Sequence, residues 1–484
     1  MARGSKVVKA GIGYTVGNYL LKGLSFFTLP VFARLLTTED YGMFSLFSSY
    51  ESIFYVVVGF AIHSSYKNAK FQVYARDGEA DEKGYNAYVS ATILLILASC
   101  AVFLVIANLF GSPLATLLKI DRLCLNLLVF YSVGSAIIVC FNTDASLRYS
   151  YGGFLKVSAC NAIGNIILSI LLILFVFPER RYMGRVVGTV VPVSLVAAFL
   201  VYWFFRRGKP LAEIRRLKWG LKYSLPIIPH GISQVILNQF DRIMIINMVS
   251  EHAGGIYSFA YNIYTILAIT ATSLDTVWVP WFYEKMAASD KKEIRSKSRY
   301  YMLGLAVLTV FVQLLTPELV MILGGSKYTD SVYCVIPVIA GGFFAFLYNI
   351  PCAVEYYHQK TGYIALCTAG AAALNIVLNY FFILRYGYVA AAYTTLVTYI
   401  VYFALHYTLA WKIQGESLFS TGTVLLCAAF VVGMSAVSLL CTGMWFIRWG
   451  LFLVLFAAAM TVEERKFGLA RKLLARFSNK DRLG

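Results

Sequence analysis

Charge is what this sequence has least of. Asp, Glu, Lys and Arg make up 14% of its 484 residues, against roughly a quarter in a soluble globular chain. That shortage, together with 59% hydrophobic residues and a mean hydropathy of +0.70, excludes an ordinary water-soluble domain. Acids are scarcer still, with 24 Asp and Glu against 42 Lys and Arg. No Gly-x-x-x-x-Gly-Lys-[Ser/Thr] loop occurs, so the chain has no phosphate cradle for ATP. No two of the nine cysteines stand at metal-knuckle or redox spacing, and the five histidines form no constellation. Neither a metal site nor a disulfide is expected, and no cofactor beyond a coupling ion. The start, MARGSKVVK, is basic and runs into a full-length apolar block without a small-residue cleavage site, which reads as a retained first helix.

Apolar residues are what is there. They gather in blocks of roughly 18–25, each long enough to cross about 30 Å of hydrocarbon as a helix. The chain carries about fourteen such blocks, the first over residues 11–36 and the last over 444–461, and reads as an all-α polytopic membrane protein. With the N-terminus inside, most Lys and Arg fall in cytoplasmic segments, so both termini are expected in the cytoplasm. The heaviest basic clusters are Arg206 to Lys222, Lys285 to Arg299 and Arg465 to Arg482. They should face anionic lipid headgroups rather than nucleic acid. Arg180, Arg181 and Arg185 fall on the outer side against this bias, and no role is assigned to them.

The most informative block runs from Lys218 to Ser250. Arg242, Asn238, Gln234 and His230 recur every four residues, on one face of a single helix. Pro226 and Pro229 loosen the backbone just before that stripe. A spanning helix with one wet face suits the wall of a cavity; the bland alternative is a polar seam that glues helices together. Asp241 is expected chiefly to neutralise Arg242. The first block has a similar stripe of Tyr14, Asn18 and Lys22, continued by Ser25. Asp144 and Arg148 stand at helical spacing and read as an interfacial anchor more than a site.

The chain repeats. GMFSLF from Gly42 corresponds to GIYSFA from Gly255 at an offset of 213, and Asn161-x-x-x-Asn165 corresponds to Asn375-x-x-x-Asn379 at 214. Both halves start on the cytoplasmic side, so the repeats are parallel and a site should lie between them near mid-membrane. The expected domains are residues 1–209 and 210–412, each of six spans, then a hairpin over 413–462 and a basic tail over 463–484.

SLPIIPHGISQVILNQFDRIMI followed by SEHAGGIYSFAYNIY resembles a signature of bacterial polysaccharide flippases. These carry repeat units of O-antigen, capsule or exopolysaccharide and belong to a superfamily shared with multidrug extruders and the lipid II flippase. FFTLPVFARLLTTEDYGMFSLF, GGSKYTDSVYCVIPVI and EYYHQKTGYIALCTAGAAALNIVLNYFFILRYGYVAAAYTT support the likeness up to about residue 411. The chain departs from the pattern at the sixth span, GRVVGTVV. The resemblance implies a V-shaped transporter of two six-helix lobes in the bacterial inner membrane. It would flip an undecaprenyl-pyrophosphate oligosaccharide to the outer leaflet by alternating access, with polysaccharide polymerase or chain-length machinery as candidate partners.

An anionic head on a long apolar tail calls for a basic, hydrated cavity. Lys22 and Arg242 are the leading candidates to hold the head, with Asn18, Gln234 and Asn238 on the same faces and Arg34 and Arg148 of outer rank. The buried carboxylates Glu355, Asp275, Glu51 and Asp241 are the candidates to take H⁺ or Na⁺. A lipid II flippase would share the basic cavity, whereas a cation-coupled multidrug extruder would need an acidic one. A membrane polymerase or acyltransferase is the remote alternative, and the outer loops are too short for it.

Overall fold

The computed structural model describes residue 23, residues 28–76 and residues 79–466. Within these the chain is helical, apart from a two-residue antiparallel pairing of Ala75–Arg76 with Glu79–Ala80. Ten helices are long and apolar enough to cross a membrane, and twelve spans result if each of two bent helix pairs is one span. Two of the spans expected from the sequence remain. Residues 11–36 lie mostly outside the described residues. Residues 219–249 contain the helix Ile228–Met248, whose polar stripe dilutes its hydropathy.

Both bends have local causes. The first pair, Thr38–Val58 and Ile62–Val73, is bent by 49°, and Phe60 and Ala61 between them adopt left-handed backbone at φ 51° and 46°. The second, Lys291–Leu314 and Thr316–Gly324, is bent by 60°. There Pro317 cannot continue the preceding helix but suits the first turn of a new one.

Helix starts follow the sequence. Thr37 caps Thr38–Val58 (α1) in a capping box with Asp40, the threonine oxygen accepting from the Asp40 N–H at 3.0 Å. Asp81 caps Glu82–Leu109 (α2), and Asp290 caps Lys291–Leu314, each accepting from the backbone N–H three residues on. That bond with the Glu293 N–H holds the half-exposed Asp290 carboxyl below its ordinary range.

The chain packs as two compact units. One comprises residues up to Asn262 with Leu323–Lys327 and Ala365–Thr394; the other comprises Ile263–Ile322, Tyr328–Ile364 and the residues from Thr395 onward. The first unit is built on α1, α2, Arg122–Leu147 (α3), Tyr151–Leu171 (α4), Arg181–Arg207 (α5) and Ile228–Met248 (α6). Its core includes Leu46, Phe47, Tyr88, Ile93, Leu128 and Val186, all essentially inaccessible. Buried hydroxyls cross-link its helices, with Tyr66 to Thr92 at 2.5 Å, Ser65 to Tyr88 at 2.7 Å and Ser90 to the Phe204 carbonyl at 2.8 Å. Hydroxyls paired in this way satisfy one another where lipid offers no partner.

In the second unit the C-terminal helices Thr421–Leu440 and Trp445–Lys466 dock on Lys291–Leu314 through Gln313 to Ser435 at 2.8 Å and the Phe311–Phe452 rings at 4.9 Å. Arg448, 3% exposed, locks that docking by donating to both Glu318 oxygens, at 2.6 and 2.8 Å, and to the Leu314 carbonyl at 2.6 Å. Removing one partner of a buried ion pair strands the other. Glu318 is only partly buried, so Arg448→Met should cost about 1–3 kcal/mol, read as a lowered melting midpoint of the purified protein.

Candidate functional site

The offset of 213 becomes a physical contact in the first unit. Ser258 donates to Ser45 at 2.7 Å, and His252 meets Glu39 at 2.8 Å; in each pair the residues stand 213 positions apart. A residue that touches its own repeat counterpart sits on the axis relating the repeats, as in an isologous interface. The helices, α1 and the start of Glu251–Ala287 (α7), meet there without side chains between them. A Cβ on Gly42 would lie 2.1 Å from the Glu251 carbonyl oxygen, and one on Gly255 would lie 1.9 Å from that of Thr38. Glycine is required at both positions because only it allows backbones this close.

Next to this contact lies a cavity of about 410 Å³, walled by α1, α4, α5, α6 and α7. Its polar lining comes from Ser45, Ser48, Asn161, Asn165, Ser258 and Asn262, with Tyr41, Phe32 and Phe44 among the rings. Two arginines enter it, Arg185 and Arg242, and among the described residues no carboxylate lines it. Arg185 donates to the Asn165 amide oxygen and, at 2.8 Å, to the Ser169 hydroxyl. Its guanidinium lies 3.7 Å from the Phe32 ring centroid and 4.7 Å from that of Phe44. Arg242 donates to the Gln239 amide and lies 4.6 Å from the Tyr261 ring centroid, and its buried Nε has no hydrogen-bond partner among the described residues. Neither arginine makes an ion pair among the described residues. Neutral amides and ring faces fix both cations without cancelling their charge.

Among the described residues Asp241 and Arg242 form no ion pair, contrary to the sequence expectation. Successive helical residues point about 100° apart, so neighbours in sequence do not face each other. The Asp241 carboxylate, 1% exposed, accepts instead from Tyr257 at 2.7 Å, Tyr261 at 3.3 Å and Asn379 at 2.7 Å. Thr394 in turn donates to Asn379. The result is a buried, oxygen-rich cluster around one carboxylate, all within the first unit.

The polysaccharide biosynthesis protein family has a sequence profile that matches residues 7–286 of this chain. The chain belongs to that family. A relative from Haemophilus influenzae, "Lsg locus putative protein 1", is 22% identical over 384 residues, covering 75% of this chain and 88% of its own length. An uncharacterised membrane protein of the same organism is 24% identical over 379 residues, covering 75% and 87%. Among solved structures, the lipid II flippase MurJ in an inward closed conformation superposes with a TM-score of 0.68 at 14% identity, covering 94% of this chain and 99% of MurJ. An inward-facing multidrug resistance MATE family transporter of the MOP superfamily gives 0.63 at 14% identity, covering 82% and 96%. The fold is therefore that of MurJ and the MATE transporters, and the chain is a multi-pass membrane protein. Those structural relatives are described as a flippase and a transporter, not as enzymes.

In this polysaccharide biosynthesis family member, only Arg242 of the sequence-derived binding residues that are described lines the cavity. Asn18 and Lys22 lie outside the described residues. Gln234 and Asn238 share the helix of Arg242 but not the cavity, and the Asn238 amide donates back to the Gln234 carbonyl at 2.7 Å. Arg34 is exposed, and its carbonyl accepts from Lys327 at 3.5 Å. Arg148 is the anchor its spacing suggests, bonded to Asp144 at 2.8 Å, Asn86 at 2.8 Å and Glu82 at 2.5 Å. Of the candidate coupling carboxylates, Glu51 is 9% exposed and lies beside Ser135. Asp275 accepts from Tyr301 and Asn349, both at 2.6 Å. Glu355 is wholly buried against His406 at 2.7 Å. Cys352 lies near that pair.

Arg185, an outer-side charge without a role in the sequence, lines the cavity. The sixth span begins at Arg181, so Arg185 sits inside the helix rather than in an outer loop. The signal was on the neighbouring helix, where Asn161, Asn165 and Ser169 form a polar stripe with helical spacing. Arg181 has structural work at that end, donating to the Leu35 carbonyl at 2.8 Å.

Proposed function

We propose that this protein moves an anionic lipid-linked oligosaccharide, of the undecaprenyl-pyrophosphate type, from the cytoplasmic to the outer leaflet of the bacterial inner membrane by alternating access. The reading rests on one observation, a cavity whose described lining holds two arginines and no carboxylate among amides and hydroxyls. A pyrophosphate is recognised by guanidinium donors, and sugar hydroxyls by amides and serines. A cation-coupled extruder needs the opposite charge in its cavity. In a strain lacking the gene, the lipid-linked repeat unit should accumulate in the cytoplasmic leaflet and surface polysaccharide should disappear; unchanged surface polysaccharide would contradict the proposal.

Energy would come from an ion bound at a buried carboxylate. Asp241 has the richest oxygen surroundings, and Glu355 with His406 is a second site able to hold a proton. Asp241→Asn is expected to keep the protein in the membrane while lowering export several-fold. It should also abolish the response of export to collapse of the proton or sodium gradient. Glu355→Gln tests the second carboxylate in the same assay.

A further inference from the structure

A second concave feature of the first unit lies outside the arginine cavity, along the groove between α4 and α5. At the end of the helices where the charge bias expects cytoplasm, a cavity of about 400 Å³ is lined by Asp144, Arg148, Lys156, Phe199, Trp203 and Arg207, among others. One turn further along both helices, from Val157 to Cys160 and from Phe199 to Val196, a cavity of about 360 Å³ follows with no charged residue in its lining. It exists because Gly164 has no side chain where Pro192 faces it; a Cβ there would come 3.2 Å from the proline Cβ. The rim side chains Phe199, Leu195 and Ile167 are 61%, 67% and 55% exposed, as residues facing lipid are.

The head of this groove carries unspent positive charge. Arg148 is saturated by Asp144, Glu82 and Asn86. Asp144 also meets Arg207, at 3.5 Å. That leaves Arg207, lying 4.2 Å from the Trp203 ring centroid, and the exposed Lys156, which makes no ion pair among the described residues, set against one carboxylate already shared. From Lys156 to Leu171 a helix rises about 22 Å, enough for a headgroup layer and one leaflet of a core about 30 Å thick. A basic pocket between spans that opens into an apolar groove one leaflet deep has the shape of a lipid with an anionic head.

We propose that this groove binds an anionic phospholipid of the adjacent leaflet, with its phosphate between Lys156 and Arg207 and one acyl chain over Gly164 and Pro192. A groove of one leaflet's depth fits an acyl chain rather than the much longer polyprenyl tail of the proposed cargo. The site is separate from the arginine cavity, so the two readings stand or fall independently.

The test is native mass spectrometry of the full-length protein released from nanodiscs of phosphatidylcholine containing a minority of phosphatidylglycerol. Wild type should retain phosphatidylglycerol in preference to phosphatidylcholine. Lys156→Gln with Arg207→Gln should reduce that retention at least about tenfold, and Lys156→Arg with Arg207→Lys should preserve it. Leu195→Trp, which fills the groove from an exposed position, should reduce it without touching either cation. Equal retention of both lipids, or retention unaffected by the Gln pair and by Leu195→Trp, would overturn the proposal. So would displacement of phosphatidylglycerol by undecaprenyl phosphate in wild type but not in the Leu195→Trp protein, which would assign the groove to the cargo.

Discussion

Arg185→Gln and Arg242→Gln should each reduce export of the lipid-linked oligosaccharide by more than about tenfold, with normal amounts of protein in the membrane. Both side chains reach the cavity as cations whose partners among the described residues are neutral, so glutamine removes the charge while keeping a hydrogen-bonding head. A cation kept in a membrane protein without a fixed counter-ion costs at least about 2.5–3.5 kcal/mol on insertion scales. A transient anionic ligand is the simplest reason to keep two. Arg185→Lys should restore export only in part, because a lysine cannot lie flat between the Phe32 and Phe44 rings or bond Asn165 and Ser169 through a planar fork. Surface polysaccharide and membrane abundance, measured in parallel, separate loss of transport from loss of protein.

The second large effect is expected at the repeat axis. Gly255→Val places a side chain where the Thr38 carbonyl already lies 1.9 Å from a bare Cβ position, and a backbone atom cannot rotate away. Overpacking of this kind costs about 1–3 kcal/mol when side chains can yield, and more here. The helix starts must separate, breaking the Ser45–Ser258 bond and exposing the cavity wall beside it. A cysteine at Ser258 should be protected from a membrane-impermeant maleimide in the otherwise native chain and labelled rapidly in the Gly255→Val background. Equal labelling of the two would show that the close approach does not seal the cavity.

How far the sequence revealed this site depends on the range of each signal. The repeat was legible because short patterns such as GMFSLF and GIYSFA survive in both halves, and the structure turns their offset into direct contacts between counterparts. Arg242 was legible because a charge amid apolar residues stands out on a single helix. Arg185 was hidden by its position one turn inside a helix start, where it counts as loop charge until the helix boundary is known. The expected Asp241–Arg242 pair came from adjacency in sequence, which the helical twist undoes, and Asp241 accepts from Tyr257 and Asn379 on other helices. The Glu355–His406 pair joins residues 51 positions apart, a separation at which spacing carries no information.

The most direct test of the two-arginine cavity is equilibrium binding of cargo to the purified protein. An undecaprenyl-pyrophosphate oligosaccharide should bind at least about tenfold more tightly than the same oligosaccharide on an uncharged polyprenol, with an affinity that falls as salt rises. That preference should vanish in the Arg185→Gln, Arg242→Gln double variant. Equal affinity for the charged and uncharged lipids in the native protein, or a preference that survives in the double variant, would contradict the account.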